Sequence, residues 1–568
     1  MTVRKLMVVG VLAAFSLAAQ AQKSLQETPK GWHLLDSKEN GYYGISLDKA
    51  YQSLLKGKQP KQQVIVAVID SGVDTTHEDL KTVLWINKKE TPGNGIDDDK
   101  NGYIDDVNGW NFLGNKNGQN VTTDSDEAAR VYYSLKKKYG DSIPDLTNLS
   151  LEQADEVRTF ERAKFQIETA AKEASIMVLL YRNIVEKLPA ADSVLKTAMG
   201  KQLYTGDQLT AFKPKSSEES KSKSLMLGLF QQLHAMEATN KSIIDDLMGF
   251  YNGEKKKVEN LNGPPTDYRA IVGDNPSDVN DRFYGNNDIM ASDATHGTHV
   301  SGIIGAARGN SKGMDGIAND VRIMVLRAVP DGDEHDKDIA NAIRYAVDNG
   351  AKVINMSFGK YFSPQKKWVD DAVKYAEEKG VLLVHAAGNE ATNVDEKRHF
   401  PTAYYLDGTK ASNWITVGAS GPTKKNLVAY FSNYGKKDVD VFAPGMDIYS
   451  TIPTGDQYKM EQGTSMASPV VAGLAALIIS YYPQLSAREV KQVIEKSAKS
   501  LDATVYKPNE MDEKGEQMNF SELSASGGVI NAVEAIKLAD AMAAAKSGKP
   551  NPAKPALPKS SVKKPQKG

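Results

Sequence analysis

Three stretches far apart in this 568-residue chain each supply one part of a hydrolytic site. "VIDSGVDTTHEDL" puts Asp70 at the end of an apolar run, "HGTHVSGIIGA" opens on His296, and "GTSMASPVVAGLAALI" carries Ser465 between a glycine-led turn and small residues. A serine hydroxyl is a weak nucleophile. It needs a base to take its proton, and the base needs a carboxylate to fix its tautomer and stabilise its charge. His299 follows His296 by three residues, on the same side of a helix, so the two could instead form half of a metal site. That reading needs further ligands, yet the cysteine count is zero, and "HGTH" lacks the general-base Glu of a His-Glu-x-x-His helix. His296 is the candidate base; His299, among Val300, Ile303 and Ile304, reads as packed core.

The elements that hold these residues follow one pattern. "QVIVAVID" at 63 to 70 is a continuous apolar run, as in a strand buried on both faces. "DIANAIRYAVDNGAKVINMSFG" and "VDDAVKYAEEKGVLLVHAAGN" each read as helix, C′ glycine (Gly350, Gly380), then strand. This alternation predicts an α/β fold, a parallel central sheet with helices on both faces. Sites in such sheets gather at the carboxyl ends of strands, where Asp70, Ser357 and Asn389 fall.

These segments resemble the signatures of the subtilisin-like serine proteases, the subtilases, over roughly 62–123 and 263–540. The catalytic residues come in that family's order, Asp then His then Ser. "NMSFG" (355–359) is similar to the family's substrate-binding strand and "AAGNE" (386–390) to its oxyanion segment, while "FSNYG" and "APGMDIYST" occupy the expected places before the serine. The resemblance implies a serine endopeptidase acting on polypeptides through an acyl-enzyme. Ser465 is then the nucleophile, His296 the base, Asp70 its orienter and Asn389 the oxyanion donor. It also implies substrate contacts along Ser357, Phe358 and Gly359 and along Ala386, Ala387 and Gly388, an open and largely apolar wall that fits large apolar side chains.

A calcium ion is expected at one of two places, and no organic cofactor. Asp97, Asp99, Asn101, Gly102 and Asp105 have the one-three-five-six-nine spacing of a calcium loop. Asn108 stands where an EF-hand needs a bidentate Glu, so an Asx-rich turn is the alternative. Asp79, with the loop at 308–313, matches the position of the family's calcium ligand by its offset from Asp70.

Outside the resemblance, residues 1–21 read as a signal peptide: Arg4 and Lys5, an apolar run, then Ala19-Gln20-Ala21. The expectation is an exported protein, periplasmic or extracellular, with no membrane span in the mature chain. Lacking cysteine, it has neither disulfides nor thiol chemistry. A net charge of -2 offers no basic excess for nucleic acid. Residues 22–61 form an N-terminal extension, too short for the family's folding-assistant propeptide, whose Trp and Tyr residues suit docking on the core. Residues 124–262 read as a charged helical insertion expected near the active-site rim, a hairpin of two apolar stripes, one at Val157, Phe160, Ile167, Ala171, Ala174, Val178, Tyr181, Val185 and Leu188 and one at Leu225, Leu229, Leu233, Met236, Ile243, Leu247 and Phe250, joined by "KPKSSEESKSKS". The segment 541–568 reads as a Lys/Pro-rich disordered tail. A different class of function is a catalytically silent subtilase scaffold whose helical insert binds a protein partner, of a kind the sequence does not identify.

Overall fold

The structure, a computed structural model, describes residues 28–140, 149–233, 235–290, 294–453, 457–509 and 515–547. The signal peptide read at 1–21 and the tail from 548 onward lie outside the described residues. The described residues divide into two compact units, one of those between 125 and 267 and the other of those between 28 and 124 and from 268 to 547.

In the larger unit the Val- and Ile-rich runs become strands β1 (Val64–Asp70), β2 (Gly109–Asn111), β3 (Val321–Arg327), β4 (Val353–Met356), β5 (Leu382–Ala386), β6 (Trp414–Ser420) and β7 (Val441–Pro444). After them come the hairpin β8 (Ile448–Thr451) and β9 (Tyr458–Glu461), then the short β10 (Lys499–Ser500), β11 (Thr504–Tyr506), β12 (Gln517–Asn519) and β13 (Gly528–Val529). Nine of them form one sheet in the order β10-β13-β7-β6-β5-β4-β1-β3-β2. Its neighbours are parallel throughout except β10, which runs antiparallel to β13. The expected α/β sheet is present.

Because side chains alternate faces along a strand, the sheet sorts its residues into two cores. Val64, Val66, Val68, Ile323, Val325, Leu382, Val384, Ile415 and Val417 share one core with the helices Thr295–Gly305, Thr464–Tyr481, Ala487–Ser497 and Ala532–Lys546. Ala67, Ile69, Met324, Leu326, Leu383 and Trp414 face the other, under the helices Asp336–Asp348 and Lys366–Glu378. Gly350 (φ 84) and Gly380 (φ 69) turn the chain into β4 and β5 as their C′ positions require. Among the described residues Thr464–Tyr481 is apolar and long enough to cross a membrane, but 94% of it is buried inside the fold, as befits a central core helix.

The N-terminal extension docks as expected. Trp32, Ile45 and Leu47 are fully buried in the first core, and Tyr42 and Tyr51 pack against it. The final helix, Ala532–Lys546, buries Ala535, Ala539 and Ala543. The region assigned to a tail from 541 therefore begins as helix, because its alanines have high helix propensity and a face to bury.

The smaller unit is helical but is not a hairpin. It comprises Glu127–Tyr139, the 49-residue helix Leu151–Met199, Gly206–Ala211, Ser217–Gln232 and Asn240–Asn262. The polar stretch expected to join two stripes is the start of a helix, capped by Ser216, whose side chain accepts from Glu219 N–H. The stripe facing inward there is Met226, Leu229 and Phe230; Leu233, expected within it, is exposed. On the long helix the predicted positions Val157, Phe160, Ile167, Ala171, Ala174, Val185 and Leu188 are buried.

Where the chain re-enters the larger unit, a buried ionic clasp fixes it. Arg269 meets Asp274 and, at 2.5 Å, Asp338; Tyr284 also donates to Asp338, and Lys337 bonds Asp274, both at 2.5 Å. All these side chains are at most 5% exposed. Removing one partner of a buried pair strands the other's charge, a loss of about 3–5 kcal/mol. Arg269→Met should therefore lower unfolding stability by about that amount in a urea titration, whereas a surface pair such as Lys367–Asp371 is worth under about 1 kcal/mol.

Candidate active site

The sheet positions the first half of the site. Asp70 ends β1 on the same face as Val64, Val66 and Val68, towards the helix Thr295–Gly305. His296 lies in that helix's first turn and its Nδ1 is 2.7 Å from Asp70 Oδ1. The contact requires the helix to sit on the backbone of the turn after β1. A Cβ on Gly297 would lie 2.1 Å from the Gly72 carbonyl oxygen, so only glycine fits. Asp70 Oδ1 also accepts Ser71 N–H at 2.8 Å, and Oδ2 is buried with no hydrogen-bond partner. The carboxylate is 2% exposed and the imidazole 40%, so a dry anion holds the inner nitrogen of a ring whose outer edge reaches solvent.

Ser465 lies in the first turn of Thr464–Tyr481, and its hydroxyl donates to the Ser357 carbonyl at 3.2 Å. Register carries this half of the site to the first. Ile69 pairs with Met356 on the neighbouring strand, so Asp70 and Ser357 are level, one strand spacing of about 4.8 Å apart. The Ser357 side chain points inward, accepting from Asn355 and donating to Ser465 O at 2.9 Å.

Asn389 follows β5 and is exposed. Its Oδ1 accepts Thr464 N–H at 2.8 Å and the Thr464 hydroxyl at 3.0 Å, while Gly388 N–H donates to that hydroxyl. With Oδ1 engaged, Nδ2 is the free end. Asn389 Nδ2 and Ser465 N are both 3.5 Å from the point where Gly463, at φ 153, would carry a Cβ. The two nitrogens therefore lie at equal distance from one point beside Gly463. Such a pair suits a developing oxyanion.

Polar side chains lie close behind two of the glycines expected to flank a substrate. A Cβ on Gly359 would meet the His399 ring at 2.2 Å, and one on Gly388 the Asn433 amide and, at 2.6 Å, the Glu390 carboxylate. Phe358 packs partly buried into the second core, and its carbonyl is 2.9 Å from His385 Nε2. Ala386 and Ala387 are buried.

His299 is core, with a tethering role added. Its Nε2 lies 3.0 Å from Ile448 O and 3.2 Å from Lys459 O, one carbonyl on each strand of the β8–β9 hairpin. Burial holds it at about 4, below the usual imidazole value, and pushes His385 down to about 3. The two histidines assigned different work in the sequence are in different surroundings.

The calcium candidates separate. Carboxylate oxygens of Glu90, Asp97 and Asp99 lie within 4.8 Å of one another. Asp105 takes no part in this group: its oxygens accept the N–H groups of Gly93, Asn94 and Gly95. Asn101 bonds Tyr103 N–H and Asp106. Of the one-three-five-six-nine set, Asp97 and Asp99 group with Glu90, which lies outside the motif, while Asp105 and Asn101 stand apart; Asp97 and Asp99 also accept the N–H groups of Asn101 and Gly102. Asp79 is fully buried and does approach the 308–313 loop, accepting from Asn310 Nδ2 on Oδ1 and from the Tyr458 hydroxyl, 2.8 Å away, on Oδ2.

With this geometry in hand, comparison with known proteins is informative. The Subtilase family model matches residues 61–522. The chain belongs to the subtilase family. This subtilase is 44% identical over 210 residues to the thermophilic serine proteinase of Bacillus sp. (strain AK1), a match covering 37% of the chain and 48% of that relative. It is 37% identical over 240 residues to thermitase of Thermoactinomyces vulgaris, covering 41% of the chain and 80% of thermitase. The chain thus spans about half the length of the Bacillus relative. Among solved structures, a protease from Pseudoalteromonas arctica aligns with TM-score 0.36 and 29% identity, over 45% of the chain and 74% of its own.

Three positioning residues of this subtilase escaped the sequence reading. Thr464 orients Asn389. Arg327, opposite Asp70 on β3, donates to Ser71 O at 3.0 Å and Val121 O at 2.6 Å, bracing the turn after Asp70. His385 ties β5 to Phe358. Thr464 sits inside "GTS" and was visible there; an Arg in an apolar strand is a signal of its own, since buried charge must be paired.

The buried histidines give the fold an acid limit. His299 and His385 stay neutral when folded down to about 4 and about 3, whereas the unfolded chain takes up protons below about 6.5. Their effect on stability is absent above that value. It grows as pH falls through 6 and 5, by up to about 1.4 kcal/mol per pH unit for each histidine. Urea midpoints at pH 7, 6 and 5 should fall accordingly, and His385→Asn should flatten the slope by one histidine's share.

Proposed function

We propose that this subtilase is an exported serine endopeptidase that cleaves polypeptides through an acyl-enzyme. The observation that carries the reading is the 2.7 Å Asp70–His296 contact, level in the sheet with the carbonyl that holds Ser465. In the proposed reaction the Ser465 hydroxyl turns from Ser357 O and gives its proton to His296 Nε2 as Oγ attacks the peptide carbonyl. Asp70 holds Nδ1–H and stabilises the imidazolium. Asn389 Nδ2 and Ser465 N–H receive the oxyanion. His296 then protonates the leaving amine, and water repeats the sequence in reverse to release the acid. The backbone at 357–359 and 386–388 would flank the substrate chain. The signal peptide reading supports a location in the periplasm or outside the cell.

A fluorophosphonate probe tests this directly. We expect labelling of the full chain that disappears in Ser465→Ala; a folded wild-type protein that does not label would favour the silent-scaffold alternative. Asn389→Leu should lower kcat by about 10²–10³ with KM little changed, the effect that loss of one oxyanion donor has in a subtilisin.

We also propose that Glu90, Asp97 and Asp99 hold a calcium ion. Clustered hard oxygen ligands on a loop of this kind suit that ion. It would supply charge neutralisation and a cross-link between turns, and it has no part in the chemical steps. Asp79 fits less well, since among the described residues no group of three such ligands forms around it. Calcium at about a hundred times its Kd should stabilise the folded chain by about 2.7 kcal/mol. A Tm measured with calcium and with EGTA should therefore differ by several degrees, and Asp97→Asn with Asp99→Asn should abolish the difference. Abolition by Asp79→Asn alone would move the ion there.

A further inference from the structure

The segment before β1 reaches both catalytic loops. Trp32 has no exposed surface, and its indole N–H is shared between the carbonyls of Met446 and Asp447, at 3.0 and 3.1 Å. Asp447 has φ 50, a left-handed conformation uncommon outside glycine and best tolerated by Asn and Asp. Thr28 reinforces the turn by donating to Asp447 Oδ2 at 2.9 Å. This turn is coupled to the nucleophile: Gly463 N–H, two residues before Ser465, donates to Gly445 O at 2.8 Å. Immediately beyond it runs the β8–β9 hairpin, which grips the His296 helix from the other side. His299 Nε2 bonds both its strands, Ser450 donates to His299 O at 2.7 Å, and Thr451 to Thr298 O at 2.8 Å. His33 is fully buried with neither ring nitrogen hydrogen-bonded, and burial pushes it down to about 3.

The same segment is woven into the rest of the larger unit. Ala532 N–H donates to Ile45 O at 2.7 Å, Tyr51 to Ile317 O at 3.0 Å, and Lys61 N–H to Ser480 O at 2.8 Å. Removing it would uncover Trp32, Ile45, Leu47 and Ala50, all fully buried, and break each of these bonds.

We infer that residues 28–63 are retained in the mature enzyme as a strut, with Trp32 as a positioning residue that sets the turn at 445–447 and through it the approach to Ser465. Processing therefore ends upstream of Thr28. The catalytic consequence rests on the peptidase reading above; retention and coupling do not.

Three measurements on the full secreted protein decide it. Intact mass of the active fraction should give an N-terminus before Thr28, and a form beginning after Gln63 overturns retention. Trp32→Phe keeps the buried ring but removes the donor. Hydrogen exchange should then quicken at 445–449 and 462–466, while Leu34→Ala, an equally buried change in the same segment that leaves the indole donor in place, should not produce that local effect. Unchanged exchange in Trp32→Phe overturns the coupling whether or not the protein is active. If the wild type hydrolyses peptides, Trp32→Phe should lower kcat by roughly tenfold or more with KM within about twofold, since displacements of ~1 Å at a reacting group cost up to ~10²-fold. Equal losses in Leu34→Ala would reduce Trp32 to packing alone.

Discussion

The site depends on strand parity at the carboxyl edge of one parallel sheet. Counting by twos along β1 from Val64 leads to Asp70, and along β4 from Val353 to Asn355 and Ser357. These polar residues therefore emerge on the same face as the valines beneath them, under the two helices that carry His296 and Ser465. A one-residue slip would turn Asp70 towards the opposite core. The register cannot slip, because Val66 and Val68 would then leave a core in which they have no exposed surface. Burial of hydrocarbon thus aims the carboxylate, and the energy that orients it is spread over the whole sheet.

Close approach is the second constraint, and glycine provides it. Gly297 lets the His296 helix rest on Gly72, Gly302 admits Ser450 and Thr451, and Gly473 lets the Ser465 helix touch Ile317. Each is a place where a methyl group would overlap a neighbour by close to an ångström or more. Along these helices the glycines are contact points, and their cost in helix propensity is offset by packing.

The parallel sheet, its covering helices and the residues at its carboxyl edge were legible in the sequence because each rests on local pattern: continuous apolar runs, 3.6-residue periodicity, C′ glycines. The catalytic stretches were legible because their residue types and order are distinctive. What escaped depends on pairing across long separations. Nothing near Asp97 indicates that Glu90 completes its group, or that Asp105 is occupied by the backbone of Gly93 to Gly95. Periodicity found the helices of 125–267 but not their number. A short break such as 233–239 keeps the apolar spacing roughly in phase, and only the caps at Ser216 and Thr239 divide the run. The same holds behind Gly359 and Gly388, where the neighbouring side chains come from residues 390, 399 and 433.

Without disulfides, long-range cross-linking in the larger unit falls to buried polar groups. The Arg269 clasp joins the segment after the helical unit to the helix Asp336–Asp348. Arg327 joins β3 to the turn after Asp70 and to Val121. Trp32 joins the N-terminal segment to the turn before β8. Each links stretches more than 60 residues apart in at least one of its bonds. A charge or an indole N–H stranded in such a place loses more than the bond itself is worth, so these links resist local opening more than their individual strengths imply. Two of the three reach the site: Arg327 ends at Ser71, next to Asp70, and Trp32 ends at a turn whose Gly445 carbonyl accepts from Gly463 N–H, two residues before Ser465. The contacts that close the fold in place of covalent bonds are therefore also those that hold the site's geometry.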